Sequence, residues 1–292
     1  MTISPEITRI GFIGLGIMGQ TIAGHLLQAG YALHVYNRTK AKTDALVADG
    51  AIWHDTPGEV AANSDVVITM VSYPADVEDV YMGAGGIIDN APDGAYLIDM
   101  TTSEPSLAVR IADAAAAKGL HALDAPVSGG EDGARNGTLS IMVGGSQADF
   151  DAGKPLLDIV GENIRLQGGP GAGQHTKMCN QIVVAGNMLA VAESLTYAKN
   201  SGLDPEEVLK SIGTGAAQSF LLNALGPKMI AGDFAPGFFV HHFIKDMTIA
   251  LKEAEAMGID LPTLKTAKGL YQKVADAGAR EDGTQALIKA YD

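Results

Sequence analysis

In residues 171–202, GAGQHTKMCNQIVVAGNMLAVAESLTYAKNSG, a lysine and two amide side chains fall close together: Lys177, Asn180 and Gln181. Positions three and four apart share one face of an α-helix, so an ammonium and two amides would point into the same space. One cation and two amides would thus converge, and a lysine at the mouth of the nearly apolar helix that follows would be partly desolvated. A bland alternative stands beside it: a first-turn lysine whose stem lies on apolar surface and whose ammonium reaches water. Only a partner site facing Lys177 separates the two. Cys179, the single cysteine, excludes an intrachain disulfide and a thiolate-rich zinc site, and beside Met178 and Ile182 it is expected to be a buried, inert thiol.

A partner site is offered near the start of the chain. RIGFI (9–13) is a short β-rich run that breaks into Gly14-Leu15-Gly16-Ile17-Met18-Gly19, followed by a helical pattern that Gly30 stops. In strand–turn–helix context the three glycines do different things. Gly14 makes the tight turn, Gly16 lets the backbone approach a pyrophosphate, and Gly19 lets helix and strand pack closely. The free N–H groups at the helix start, including those of Ile17 and Met18, face the phosphates. The next strand ends at Asn37-Arg38-Thr39, where a dinucleotide fold usually carries an acidic residue for the ribose hydroxyls. Here no carboxylate would repel a 2′-phosphate. Arg38 can clasp one, with Asn37 and Thr39 adding hydrogen bonds, so NADP(H) is favoured over NAD(H). Otherwise Thr39 caps the next helix and Arg38 is a solvated surface charge.

The elements that must position these groups alternate in the first half: helix 40–48, strand 65–71, a helix from about 76, strand 95–100, helix 104–118 and strand 120–123. Strands separated by helices imply βαβ units, a parallel sheet and an α/β fold of the doubly wound Rossmann type. Ligands in such sheets lie beyond the carboxyl ends of the strands, which gathers Val71 and Ser72, Thr101 and Thr102, and residues 124–130 around one crevice. There Ser128, Gly129 and Gly130 supply a hydroxyl and unobstructed backbone N–H groups, able to hold a small carboxylate without a cation; a plain loop is the alternative. Residues 133–145 are expected to turn at Asn136-Gly137 and return as a strand. From about residue 171 the pattern is helical only, over 171–202, 205–212, 218–225, 245–257, 262–276 and 285–291. The chain therefore divides into 1–168, a cofactor domain, and 169–292, an all-α domain for substrate and oligomerisation.

Bulk composition narrows the partners. The chain has 292 residues, with 34 Asp+Glu against 20 Lys+Arg and a net charge of −14, which argues against nucleic acid or an anionic membrane surface. No run of apolar residues is long enough to span a bilayer, and the start has no signal-peptide pattern, so a cytoplasmic protein is expected. The many apolar helices of the second half predict packing against another subunit, as a homodimer or homotetramer.

Four motifs in order and spacing, GFIGLGIMG, DAPVSGG with GTLSIMVGG after it, GAGQHTKMCNQ, and Phe238 followed by Lys245-Asp246, resemble the β-hydroxyacid dehydrogenase family along essentially the whole chain. That family includes 3-hydroxyisobutyrate dehydrogenases, tartronate semialdehyde reductases and glyoxylate/succinic semialdehyde reductases. APGF at 235–238 and SGGE at 128–131 look most like the tartronate semialdehyde reductases. The resemblance implies that Lys177 is catalytic, that Asn180 beside it holds the substrate, that Ser128-Gly129-Gly130 bind its carboxylate, that Thr102 contacts the cofactor and that Lys245 lies near the nicotinamide. His241-His242 have no counterpart in the resemblance; adjacent histidines point to different sides of a regular element, so packing or rim positions are expected rather than a metal pair. Gln218, Ser219, Phe238 and His242 are candidates to shape the pocket.

The implied reaction interconverts a small carboxylate-bearing hydroxyacid and its semialdehyde by hydride transfer. Lys177 acts as acid or base, helped to lose its proton by partial burial and by Lys245. A 6-phosphogluconate dehydrogenase would need a longer chain and a further basic cluster. Imine reductases share the fold and usually lack a lysine at this place, and a non-catalytic NADP-binding module would not need the Lys177–Asn180 pair.

Overall fold

In the computed structural model, residues 3–291 are described. The chain divides into two compact units, Met1–Lys177 and Met178–Asp292. The first is built on strands β1 (Arg9–Ile13), β2 (Ala32–Tyr36), β3 (Ile52–Trp53), β4 (Val66–Thr69), β5 (Tyr96–Asp99), β6 (His121–Asp124), β7 (Val127–Ser128), β8 (Leu139–Gly144) and β9 (Gly161–Gly168). Interleaved are helices α1 (Ile17–Gln28), α2 (Asp44–Ala48), α3 (Pro57–Ala62), α4 (Pro74–Met82), α5 (Ile87–Asn90), α6 (Pro105–Ala117), α7 (Gly130–Asn136) and α8 (Gln147–Leu157), and the start of α9 (Ala172–Asn200).

Strand order is β3-β2-β1-β4-β5-β6-β8-β7, with β9 on β8. The pairs from β3 through β6 are parallel, β8 is antiparallel to β6 and β7, and β9 is parallel to β8. The order reverses between β1 and β4, which is the switch point of a doubly wound sheet. Period-two alternation sorts the strand residues onto two faces. Ile10, Phe12, Val66, Ile68, Tyr96 and Ile98 join α1, α2, α7 and α8 in one core, whereas Ile13, Val67 and Leu97 join α3 to α6 in another. On that second face β1 places Gly11, because a Cβ there would lie 2.6 Å from Val60 and 2.7 Å from the Ser64 hydroxyl.

The second unit is helical: the rest of α9, then α10 (Pro205–Ile212), α11 (Phe220–Ala231), α12 (Val240–Ala256), α13 (Pro262–Val274), a π-turn and a closing 3-10 segment, Thr284–Tyr291. Its core gathers Met178, Met188, Leu195, Phe243, Met247 and Tyr271. Proline stands in the first turn of α10 and α13, where its missing N–H costs nothing.

Several expectations are corrected. Asn136-Gly137 makes no hairpin: α7 ends at Asn136 and Gly137, at φ 67°, closes it in the left-handed conformation. The same backbone preference serves a helix C-cap as readily as a tight hairpin turn. Helix α12 begins at Val240 rather than 245, so His241 and His242 lie on its first turn. Helix α11 runs on through Pro227 to Ala231, and α3, α5, α8, β3 and β9 had no clear sequence signal. Cys179 is exposed rather than buried. It lies on a solvent-facing stripe of α9 with His175, Val183, Ala190 and Tyr197, so that helix is not enclosed on every side. Helix α9 itself runs unbroken from Ala172 to Asn200.

Candidate active site

Beyond the carboxyl ends of the strands, the first unit gathers most of the groups singled out by type and spacing. Gly14 follows β1 at φ 98°, and a Cβ there would overlap the Met70 carbonyl oxygen. Gly19 has its α-carbon against the Gly14 carbonyl, again with no room for a Cβ. An added Cβ at Gly16 meets nothing within 4 Å, and the N-terminus of α1 carries no side-chain cap. An open backbone before an uncapped helix start, here the N–H groups of Ile17, Met18 and Gly19, is what an anionic pyrophosphate requires. The turn therefore fits a dinucleotide.

Asn37, Arg38 and Thr39 divide their labour. The Leu15 N–H donates to Asn37 Oδ1 at 2.9 Å and Asn37 Nδ2 donates to the Thr39 carbonyl at 2.9 Å. The Asn37 amide thus ties the end of β2 to the glycine-rich turn. Thr39 precedes a short 3-10 turn, Lys40–Thr43, without capping it by its side chain. Arg38 is largely exposed and pairs with Asp76 at the start of α4, 3.4 Å away.

Asp76 also accepts the Tyr73 N–H at 3.1 Å, which fixes the segment holding Val71 and Ser72. The Val71 N–H in turn donates to the Thr101 hydroxyl at 3.0 Å. Beneath this segment, Asp99 Oδ1 accepts the Thr69 hydroxyl at 2.7 Å and the Thr101 N–H at 3.0 Å. Burial overrides those bonds and lifts the Asp99 carboxyl to about 6, and the neighbouring Asp124 adds to the rise. Asp124 is also raised by burial, against the backbone N–H groups that it accepts.

After β7, Gly129 and Gly130 adopt φ 133° and 63° and are exposed, with Ser128 half-buried beside them. The acidic pair that follows, Glu131 and Asp132, is engaged by Arg135 at 2.6 and 3.2 Å. Lys177, 7 % exposed, lies on the second turn of α9. The snorkelling alternative is thereby disfavoured, since a lysine that reaches water keeps its ammonium exposed.

In the second unit Asn180 Nδ2 donates to Gln181 Oε1 at 2.7 Å, and Gln181 Nε2 donates to Asp246 Oδ2 at 2.6 Å. Asp246 is 2 % exposed and pairs with Lys245 at 3.3 Å. A carboxylate accepts only, so it fixes the Gln181 amide and through it the Asn180 amide. The Gln181 amide is thus committed to Asn180 on one side and Asp246 on the other. His241 and His242 do not point apart: their ring centroids are 4.2 Å apart. Burial, then His241, Lys245 and Arg280, hold His242 down to about 4, which leaves it neutral at pH 7. Sequence reasoning missed two supporting residues, Gln174 and Asp246. The first carried a signal, since it stands one helical turn before Lys177.

A switch-point sheet and an open glycine turn before an uncapped helix define a dinucleotide-binding protein. Comparison with known proteins makes this specific. The family model for the "NAD binding domain of 6-phosphogluconate dehydrogenase" matches residues 9–169, and that for the "NAD-binding of NADP-dependent 3-hydroxyisobutyrate dehydrogenase" matches 171–291. The chain is 58% identical over 282 residues to an uncharacterized oxidoreductase of Bacillus subtilis, covering 97% of this chain and 98% of that protein. It is 40% identical over 284 residues to the 2-hydroxy-3-oxopropionate reductase of Escherichia coli, covering 97% of each. The solved structure of a Mycobacterium tuberculosis 3-hydroxyisobutyrate dehydrogenase with L-serine superposes with a TM-score of 0.90 at 29% identity, over 97% of this chain and 98% of that one. The chain belongs to the β-hydroxyacid dehydrogenase family and is an NAD(P)-binding oxidoreductase of the type that acts on CH–OH groups. Among the described residues no helix is long and apolar enough to cross a membrane.

Proposed function

We propose that this protein is an NADP(H)-dependent reductase that interconverts a short β-hydroxyacid with its semialdehyde, tartronate semialdehyde being the favoured substrate. The observation that carries the reading is the burial of Lys177 on α9, one turn before Asn180, in a unit that also holds the open glycine turn. The similarity to a 2-hydroxy-3-oxopropionate reductase supports the substrate. Residues 1–168 serve the cofactor and 169–292 the substrate and oligomer, a division supported by the two family matches.

The glycine turn with Ile17 and Met18 would hold the pyrophosphate, Arg38 and Thr39 the 2′-phosphate, Val71, Ser72 and Thr102 the adjoining parts, and Lys245 the nicotinamide end. When bound, the cofactor supplies the hydride that reduces the carbonyl carbon. Ser128, Gly129 and Gly130 receive the substrate carboxylate through hydroxyl and N–H donors, which fixes the reacting carbon in place. Lys177 donates its ammonium proton to the carbonyl oxygen as negative charge develops there, and takes it back in the oxidative direction. Asn180, its amide set by Gln181 and Asp246, orients that oxygen. We assign the enzyme to the cytoplasm, on the reading that a single cysteine suits a reducing compartment. We assign a homodimer or homotetramer, with Val183 and Tyr197 exposed on α9 in support.

NADPH oxidation, followed by absorbance with tartronate, methylmalonate and succinic semialdehydes and glyoxylate, and with NADH as control, tests the reading. Turnover is expected with NADPH and is to fall at least about 10²-fold in Lys177→Ala with cofactor affinity kept. Undiminished turnover in that variant, or none by the wild type, overturns it.

A further inference from the structure

Gln174 is fully buried on the first turn of α9, and both ends of its side-chain amide are hydrogen-bonded. Its side-chain Oε1 accepts the Ser103 N–H at 2.9 Å and its Nε2 donates to the Thr101 carbonyl at 2.6 Å. Its backbone N–H donates to Asp124 Oδ2 at 2.8 Å, while Asp124 Oδ1 accepts the Gly171 N–H at 2.8 Å. One amide side chain therefore grips the loop after β5 on both sides of Thr102, and one carboxylate at the end of β6 holds the turn from which that side chain projects. Gln174 and Lys177 are three residues apart, on neighbouring turns of one helix face.

We propose that Gln174 is a positioning residue, which sets the Lys177 turn of α9 at a defined distance from the Thr101–Thr102 loop. This rests on the reading of Lys177 as the acid–base residue. The chemistry demands a carboxamide: the Thr101 carbonyl needs a donor and the Ser103 N–H an acceptor, from one planar group. Methionine matches the volume of glutamine but offers neither. An ionised carboxylate offers only acceptors and meets the Thr101 carbonyl with like partial charge. A protonated carboxyl restores both bonds, its O–H donating to Thr101 and its C=O accepting from Ser103.

The test compares Gln174→Met, Gln174→Glu and Lys177→Ala with wild type, using NADPH and tartronate semialdehyde between pH 5 and 8. Thermal unfolding and NADPH titration are run on each protein. In Gln174→Met, kcat is expected to fall about 10²-fold at every pH, with KM and NADPH affinity altered less than about threefold, as for a misplaced catalytic group. In Gln174→Glu, kcat relative to wild type is expected to be near normal at pH 5 and to collapse as the introduced carboxyl ionises. Purely structural damage would shift unfolding and leave that ratio without its own titration. Wild-type kcat and pH profile in both folded variants overturns the proposal, as does a loss confined to KM or NADPH affinity.

Hydrogen exchange on the wild type alone provides a check that no variant can spoil. The amides of Ser103, Gly171 and Gln174 are expected to be protected together, and in Gln174→Met the Ser103 amide is to exchange at least about tenfold faster. An unprotected Ser103 amide in the wild type overturns the proposal even if the variants fail to fold. Full activity in Lys177→Ala, or a silent wild type, instead counts against the functional reading, and the exchange result still decides the link.

Discussion

Arg38, after β2, and Asp99, at the end of β5, show how differently two charges behave at the carboxyl ends of two strands of one sheet. Arg38 is 85 % exposed, and its pair with Asp76 at 3.4 Å is of the solvated kind worth about 0–1 kcal/mol. A 2′-phosphate can displace Asp76 at little cost and gain a charge-assisted bond of about 1.5–3 kcal/mol. Arg38→Ala is therefore expected to raise KM for NADPH by about tenfold or more while leaving KM for NADH unchanged; equal effects on both would remove Arg38 from the 2′-phosphate site.

Asp99 is buried, and its carboxyl sits at about 6 against about 3.9 in an unfolded chain. Between those values the folded state binds more protons, so this group's contribution to stability falls as pH rises from about 4 through about 6. At pH 7 the cost reaches up to about 3 kcal/mol. Asp99→Asn keeps an oxygen for Thr69 and Thr101 and cannot ionise. Urea unfolding should show the difference between variant and wild type moving in the variant's favour from pH 4.5 to pH 7, and a pH-independent difference would contradict the assignment.

The elements of the site are held by places where a side chain has been left out. Gly144 and Gly173 face Asp124, and a Cβ at Gly173 would overlap the Met142 carbonyl and lie 2.7 Å from the Asp124 carbonyl. This close approach lets the start of α9 reach the Asp124 carboxylate. Gly173→Ala is expected to cost about 1–3 kcal/mol, because backbone rather than a flexible side chain must move. Gly169→Ala, where a Cβ meets nothing within 4 Å, serves as control and should stay within about 0.5 kcal/mol. Thermal unfolding of the pair measures both; equal stabilities would show that the α9 turn is not tightly docked.

At the scale of the whole molecule, a net charge of −14 keeps copies apart at long range, yet large apolar side chains remain in water. Val183 is 62 % exposed, Tyr197 74 % and Phe220 81 %. Light scattering at micromolar concentration is expected to give two or four times the chain mass of 30.2 kDa, with Val183→Asp moving it towards the single-chain value. A wild-type mass of one chain would end the oligomer assignment.

What the sequence determined by itself was local: glycines whose spacing prescribes a strand–turn–helix, apolar periods that separate a sheet domain from a helical one, and Lys177 and Asn180 one turn apart. These are short-range consequences of backbone sterics and helix geometry, readable over a few residues. Motif order added the family. Tertiary structure alone decided how the polar groups are spent. Asn37 holds the glycine turn, Asp76 meets Arg38 across 38 positions, Gln174 grips a loop more than 70 positions earlier, and Asp124 anchors α9. Cys179, read as buried from its apolar neighbours, proved exposed because a helix has an outer face wherever no other element covers it. Asn-Gly, read as a hairpin, proved a helix cap because the same left-handed residue fits both and only the surrounding sheet selects one. Burial and partnership arise from contacts between residues remote in the chain, and no local pattern encodes them.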